Sequence, residues 1–224
     1  MNNVHSHERM SRTIITTVTI VVLIGLGVYF HTKQALANST TMSAMPAMSQ
    51  SKKDYLLPSP KTITAFTVTD DKGQIFSNNN LKGHWTFLFF GFTHCPGVCP
   101  TTLANLNGMT KQLKKLLPSQ SIPQVIMITV DPQKDPTAVM HNYVKNFNAD
   151  FIGATADSNT LNNFSKDLGL VYQKIPQANG DYMMDHSAEL YLFNPDGKWV
   201  ATFGYPTEVN HLVKSYQNIV ESAH

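Results

Sequence analysis

Two continuous apolar runs mark the centre of the predicted fold. They cover residues 85–92 (WTFLFFGF) and residues 125–130 (VIMITV). Neither run alternates apolar with polar residues, and such continuous runs are typical of strands that are buried on both faces of a sheet. We therefore expect two neighbouring central strands.

Apolar residues at helical spacing follow each run and predict four helices. The first comes after the cysteines, the second opens at Asp135-Pro136, the third covers residues 158–168, and the fourth closes the chain. The apolar stripes of the first, second and fourth helices are Leu103, Leu106, Met109, Leu113 and Leu116; Val139, Met140, Tyr143, Val144 and Phe147; and Val209, Leu212, Val213, Tyr216, Ile219 and Val220.

Turn signals complete the predicted order of elements. Strands at 65–69 and 74–77 flank a DDKG turn, and strands at 188–193 and 199–203 flank an NPDG turn. A short strand is expected at 151–155. Strand–helix–strand–helix, followed by a hairpin and a helix, is the thioredoxin-like order, an α/β fold in which a mixed sheet is flanked by helices. We assign residues 59–224 to this domain.

The N-terminal region predicts a membrane anchor. Residues 13–30 (TIITTVTIVVLIGLGVYF) carry no charge, and as a helix they would span about 27 Å, close to the roughly 30 Å of a hydrocarbon core. Arg9 and Arg12 favour a cytoplasmic location for residues 1–12. A cleavable signal peptide ending at Ala35-Leu36-Ala37 is the alternative. Either interpretation places the domain outside the cytoplasm, in the periplasm of a bacterium.

Residues 31–58 join the anchor to the domain. They are rich in Ser, Thr, Ala, Met and Gln without apolar periodicity, and they are interpreted as a flexible tether. Met42, Met45 and Met48 recur at every third position, and thioethers suit Cu(I). A chance run in a biased segment explains the same spacing.

Composition excludes one class of function and directs attention to the cysteines. The formal net charge is +2, and no basic cluster interleaves with aromatic residues, so we do not expect nucleic acid binding. The chain has two cysteines, Cys95 and Cys99, in the sequence CPGVCP directly after the first buried strand. Four positions apart at the start of a helix, their thiolates would be stabilised by the positive end of the helix dipole. This placement serves metal binding and disulfide exchange alike.

His186 is the candidate third ligand. Thioredoxin-type enzymes have a C-x-x-C motif and a proline that faces it, whereas this chain has C-x-x-x-C and the segment MDHS at 184–187. A histidine there would face the dithiol, and two thiolates with one imidazole suit copper or zinc. Asp131, at the end of the second buried strand, is a possible accessory residue or an ordinary turn opener. For His94 we expect a structural role, and for His5, His7 and His224 none.

Four segments together resemble the SCO/SenC family of copper chaperones. They are FGFTHCPGVCP at 90–100, VDP at 130–132, DFIG at 150–153 and DHS at 185–187. The resemblance implies that Cys95, Cys99 and His186 bind one copper ion, as Cu(I) or Cu(II). One departure is Gly97, where the family often has an acidic residue, and we expect it to affect partner docking or redox potential without abolishing metal binding.

The resemblance also implies a function and partners. The expected function is delivery of copper to the dinuclear site in subunit II of cytochrome c oxidase. A thiol–disulfide reductant and another periplasmic copper carrier are further expected partners. The alternative is a thiol–disulfide reductase that keeps the client's cysteines reduced, with Cys95 and Cys99 as its redox-active dithiol. A tethered adaptor without chemistry is a third interpretation. In the first and third cases the protein is not an enzyme.

Overall fold

The computed structural model describes residues 54–223, which form ten strands and five α-helices. The predicted cytoplasmic segment, anchor, methionine triplet, His5, His7 and His224 lie outside these residues. Among the helices that are described, none combines the length and the apolar character needed to cross a membrane.

The strands are β1 Tyr55–Lys61, β2 Thr67–Asp70, β3 Ile75–Ser77, β4 Thr86–Gly91, β5 Gln124–Thr129, β6 Ile152–Thr155, β7 Tyr172–Pro176, β8 Tyr182–His186, β9 Leu190–Phe193 and β10 Trp199–Phe203. The helices are α1 Asn78–Leu81, α2 Val98–Leu116, α3 Thr137–Lys145, α4 Ser158–Leu168 and α5 Val209–Ser222.

Eight strands form one mixed sheet in the order β1-β10-β9-β4-β5-β6-β2-β3. Strands β4, β5 and β6 pair in parallel, and β9 pairs with β4 antiparallel. The two apolar runs are the central strands β4 and β5, and every residue of β4 is buried. The predicted α/β architecture, a mixed sheet flanked by helices, is confirmed.

Alternation along β4 separates two cores on opposite faces of the sheet. Phe87 and Phe89 pack with residues of α2, α3 and α5, whereas Leu88 and Phe90 pack with residues of α4. Cys99 belongs to the first of these cores. The functional candidates at the end of β4 therefore rest on an element that is packed on both sides.

Some predicted boundaries differ from the structure. Strand β1 begins at Tyr55, inside the segment assigned to the tether, because it pairs antiparallel with β10. Leu116, predicted on the buried side of α2, is 56% exposed, and it is the last residue of the helix. Helix α4 has the predicted bounds, with Asp157 capping its start and Gly169 in the left-handed conformation after its end.

The sequence analysis missed the hairpin of β7 and β8. It forms a separate two-stranded sheet in which Tyr172 pairs with His186. Four of the five residues of β7 are exposed, so its sequence lacks the apolar alternation that identifies a half-buried strand. We predicted that residues 184–187 lead into a strand at 188–193; instead, His186 ends β8, and the next strand, β9, starts at Leu190.

Candidate metal centre

The dithiol lies between the end of β4 and the start of α2. The chain leaves β4 at Gly91 and makes a turn in which the Cys95 N–H donates to the Phe92 carbonyl at 3.3 Å. Helix α2 then begins at Val98, so that Cys99 lies in its first turn. The Cys99 N–H points at the Cys95 sulfur, with an N···Sγ distance of 3.5 Å. The first turn of α2 therefore donates a backbone hydrogen bond to the Cys95 sulfur. N–H groups in this turn have no partner within the helix, so they are available to stabilise a thiolate.

Gly91 provides the space that Cys99 occupies. A Cβ atom added at Gly91 would lie 2.9 Å from Cys99 Sγ and 2.8 Å from Met127 Cε. Both distances are below van der Waals contact, so any side chain at this position forces the sulfur or the thioether to move. A glycine at the end of a buried strand signals such a close approach, and the sequence analysis did not use that signal.

His186 reaches the dithiol from the β7–β8 hairpin. Its Nε2 lies 3.5 Å from Cys99 Sγ, and its Nδ1 lies 2.8 Å from the carbonyl oxygen of Ser187. A carbonyl only accepts hydrogen bonds, so Nδ1 carries the proton and Nε2 presents a lone pair to the sulfurs. The ring also meets Phe92 edge-on, with centroids 5.9 Å apart. These contacts fix the ring in the orientation that a metal ligand needs.

Cys95, Cys99 and His186 form a cluster whose ligand atoms all lie within 4.8 Å of one another. The predicted meeting of these three residues is confirmed. Metal–sulfur and metal–nitrogen bonds of about 2.3 and 2.0 Å leave ligand atoms about 3.5–4.5 Å apart, so small movements would suffice to close the site around one ion. Two soft sulfurs and an imidazole fit copper or zinc, and the two cysteines are not joined by a disulfide.

The two cysteines are electrostatically unequal. A hydrogen bond from the Cys99 thiol, aided by the backbone N–H groups of Cys99 and Gly97 and opposed by partial burial, lowers the pKa of Cys95 from its usual 9.0 to about 3. The same interaction with Cys95, together with burial, raises the pKa of Cys99 well above 9.0. The reduced site therefore holds one thiolate, on the partly exposed Cys95, and one thiol, on the buried Cys99.

This inequality predicts selective alkylation. Thiolates react with iodoacetamide, and Cys95 is in that form throughout the range above its lowered pKa, so the reduced, metal-free protein should react first at Cys95. Its rate should change little between pH 8 and pH 5, whereas an ordinary thiol slows as pH falls. Tandem mass spectrometry of the tryptic peptide covering residues 83–111 locates the adduct. A first adduct on Cys99 would contradict this assignment.

Asp131 lies outside the three-residue cluster. It is buried, and one of its carboxylate oxygens accepts a hydrogen bond from the Tyr182 hydroxyl at 3.1 Å. Desolvation and, after it, this hydrogen bond raise the pKa of Tyr182 to about 12. Because Tyr182 begins β8 and His186 ends it, Asp131 connects the end of β5 to the hairpin that carries the histidine.

Asp135 and Thr93 are residues at the site that the sequence analysis missed. Asp135 has no exposed surface, and it accepts hydrogen bonds from the Thr93 N–H at 3.0 Å, the Thr93 hydroxyl at 2.6 Å and the Thr129 hydroxyl at 2.6 Å. These bonds tie the turn before Cys95 to β5. Their sequence separation of 42 residues leaves no local pattern from which they could be predicted.

Known proteins match both the sequence and the fold. The sequence profile of the SCO1/SenC family matches residues 56–221. A putative copper-binding protein of Stutzerimonas stutzeri is 35% identical over 167 residues, which is 75% of this chain and 81% of that protein. The mitochondrial SCO2 homolog of mouse is 32% identical, over 71% of this chain and 62% of that protein. The crystal structure of Arabidopsis thaliana ScoI with copper bound has a TM-score of 0.65 and 31% identity, and covers 70% of this chain and 98% of that one.

Fold and site define a class of protein: a thioredoxin-like domain whose dithiol faces a histidine and so forms a potential three-ligand metal centre. The profile match identifies the family within that class. The chain belongs to the SCO1/SenC family.

Proposed function

We propose that this protein is a copper chaperone that binds one copper ion through Cys95, Cys99 and His186. The observation that carries the proposal is the convergence of two sulfurs and one imidazole nitrogen within 4.8 Å. The fixed tautomer of His186 supports it, because Nε2 faces the sulfurs with its lone pair. Copper is favoured over zinc because relatives are described as copper-binding or contain copper.

The proposed acceptor is the dinuclear copper site in subunit II of cytochrome c oxidase. Sco-family proteins are cytochrome c oxidase assembly proteins, and the partly exposed sulfur of Cys95 permits ligand-by-ligand transfer. We further propose that residues 13–30 anchor the chain in the bacterial inner membrane, with the residues between that anchor and β1, which begins at Tyr55, as tether and the domain in the periplasm. In that oxidising compartment a reductant must keep the dithiol open.

A second function, thiol–disulfide reduction, is favoured by the Cys95 sulfur, which is partly exposed, accepts a hydrogen bond from the Cys99 N–H at 3.5 Å and has a lowered pKa. In such a reaction the Cys95 thiolate attacks a client disulfide and forms a mixed disulfide. Cys99 then loses its proton, for which His186 Nε2 at 3.5 Å is a suitable acceptor, and displaces the second client thiolate. The client gains two electrons, and Cys95 and Cys99 become a disulfide.

His186→Ala separates the two functions. The wild-type full-length chain, purified in detergent under anaerobic reducing conditions, is expected to bind one copper ion. In the variant the affinity should fall by more than about 100-fold, since even partners of metal ligands contribute about 10–100-fold, whereas Cys95 should still attack a model disulfide. Competition with a Cu(I) chelator measures the copper affinity, and thiol titration measures the reaction with the model disulfide.

His84→Ala is the matched control, because His84 is exposed and precedes β4, at the end opposite the site. Copper bound by His186→Ala as tightly as by wild type would show that the ligand assignment is wrong. Loss of disulfide exchange without loss of copper would favour the reductase and assign His186 to proton transfer.

A further inference from the structure

The turn that follows β5 is a compact unit with two buried carboxylates. The N–H groups of Lys134 and Asp135 both donate to the carbonyl of Asp131, at 3.2 and 3.0 Å. Asp131 is 1% exposed and Asp135 is 0% exposed. We call residues 131–135 the β5 turn. Buried carboxylates need hydrogen-bond partners, and the partners of these two lie in different parts of the molecule.

The β5 turn is bonded to both halves of the metal centre. Asp135 accepts hydrogen bonds from the N–H and the hydroxyl of Thr93, two residues before Cys95. Asp131 accepts from the Tyr182 hydroxyl at 3.1 Å, and among the described residues no other hydrogen bond reaches this carboxylate. Tyr182 begins β8, the strand that carries the imidazole ligand. One short turn therefore contacts the segment of the dithiol and the strand of the histidine.

The aromatic ring of Tyr182 lies against two ammonium groups. Nζ of Lys134, from the β5 turn, is 3.9 Å from the ring centroid, and Nζ of Lys174, from β7, is 4.3 Å from it. Lys134 also donates to the Tyr182 carbonyl at 3.1 Å and pairs with Asp181. Lys174 donates to the side-chain oxygen of Gln133 at 2.8 Å. Cation–π contacts, an ion pair and hydrogen bonds thus join the β5 turn to the hairpin, although no strand pairing does.

Strand β8 connects this attachment to the ligand. Side chains two positions apart in a strand lie on the same side, so Tyr182, Met184 and His186 face one way, and Met184 and His186 are buried. The four steps from Tyr182 to His186 span about 13 Å. Every residue of β8 is paired with a residue of β7. Because the strand is extended and paired throughout, the position of its first residue limits the position of its last.

We propose that Tyr182 is a positioning residue for His186. Bound to Asp131, it holds β8 where His186 Nε2 reaches Cys99 Sγ, at 3.5 Å. The β5 turn is the common support, since the same turn also holds Thr93 before the dithiol. The proposal rests on the function proposed above, because the distance between imidazole and sulfur determines how well the three ligands hold copper.

The first test is a double-mutant cycle on the full-length, reduced protein in detergent. Tyr182→Phe keeps the ring and both lysine contacts and removes the hydroxyl. We expect it to lower Cu(I) affinity about tenfold, as the loss of a residue that supports a metal ligand does. In a His186→Ala background the same substitution should change affinity by less than about twofold, because its effect passes through His186. Anaerobic competition with bathocuproine disulfonate measures all four proteins.

The second test uses the metal-free protein. Hydrogen exchange followed by mass spectrometry should be about tenfold faster in Tyr182→Phe for peptides within residues 171–187, where the Ser187 N–H donates to the Val171 carbonyl. Peptides from β4 and β5 should exchange as in wild type. Tyr172→Phe is the matched control: its hydroxyl lies on the same hairpin but contacts Asn162 of α4, at 3.4 Å and exposed. It should match wild type in both tests.

The opposite results overturn the proposal. Unchanged affinity, unchanged hairpin exchange, or an equal loss of affinity with and without His186 each shows that Tyr182 does not position the ligand. An equal effect of Tyr172→Phe shows that the Asp131 contact has no special role.

A second variant decides the question if Tyr182→Phe does not fold. Lys134→Met changes a partly exposed side chain and removes the ring contact and the bond to the Tyr182 carbonyl. Its loss of affinity must again require His186, and an additive loss overturns the proposal. Absence of copper from wild type removes the chaperone function instead, and the exchange rates still show whether Tyr182 holds the hairpin.

Discussion

Serine at position 99 is expected to remove stoichiometric Cu(I) binding. Cys99 contributes two contacts to the site: its Sγ lies 3.5 Å from His186 Nε2, and its backbone N–H points at the Cys95 sulfur with an N···Sγ distance of 3.5 Å. A hydroxyl is a hard, poorly ionised donor that Cu(I) does not select. We expect the affinity to fall by more than about 100-fold, beyond the range of changes made outside the ligand set. Competition with a Cu(I) chelator under anaerobic conditions measures it.

Folding must be monitored in the same samples, because Cys99 is 1% exposed and belongs to the core between α2 and the sheet. A buried hydroxyl without a partner costs about 1–3 kcal/mol. Cys95→Ser is the companion variant: it removes the other sulfur from a more exposed position and should lose copper with a smaller change in stability. A folded Cys99→Ser protein that retains one tightly bound copper ion would exclude Cys99 as a ligand.

Alanine at position 91 is expected to damage the site although Gly91 carries no ligand atom. The new Cβ would lie 2.9 Å from Cys99 Sγ and 2.8 Å from Met127 Cε. The long Met127 side chain can move aside, but the short Cys99 side chain can move only by rotating its sulfur away from the cluster. Overpacking of this kind costs about 1–3 kcal/mol. We expect a matching fall in the denaturation midpoint and at least about a tenfold loss of copper affinity, comparable to the loss of a residue that supports a ligand.

Gly97→Ala provides the matched control for Gly91→Ala. Gly97 lies in the same motif with a φ of −147°, and an added Cβ would meet nothing within 4 Å. Chemical denaturation and chelator competition should leave Gly97→Ala close to wild type. Equal denaturation midpoints and equal copper affinities in the two variants would show that the close approach at Gly91 does not affect the site.

The sequence predicted the parts of the structure that are encoded locally. The apolar runs of β4 and β5 identify central strands because they do not alternate apolar with polar residues. Helix α4 has the predicted bounds, and in the structure Asp157 and Gly169 mark its ends. The exposed hairpin of β7 and β8 was missed, since it buries too little of β7 to leave an apolar pattern. Because this hairpin was not predicted, His186 was placed directly before the strand at 188–193, whereas in the structure it ends β8.

The ligand residues were easier to predict than the residues that hold them in position. Two cysteines in one motif, with a histidine at a position where the fold faces them, were visible in the sequence. The supporting contacts join residues far apart in the chain: Asp135 with Thr93, and Met127 and Cys99 over Gly91. Such contacts follow from the packing of β4 against β5 and α2, which periodicity does not specify.

The histidine and the cysteines belong to different sheets. Strand β8 pairs only with β7 among the described strands, while Cys95 and Cys99 follow β4 of the eight-stranded sheet. A bound ion would consequently act as a cross-link between two substructures that share no strand pairing, and would stabilise the loaded protein by about 2.7 kcal/mol at a hundredfold excess over Kd. Loading would therefore join the β7–β8 hairpin to the eight-stranded sheet through metal–ligand bonds.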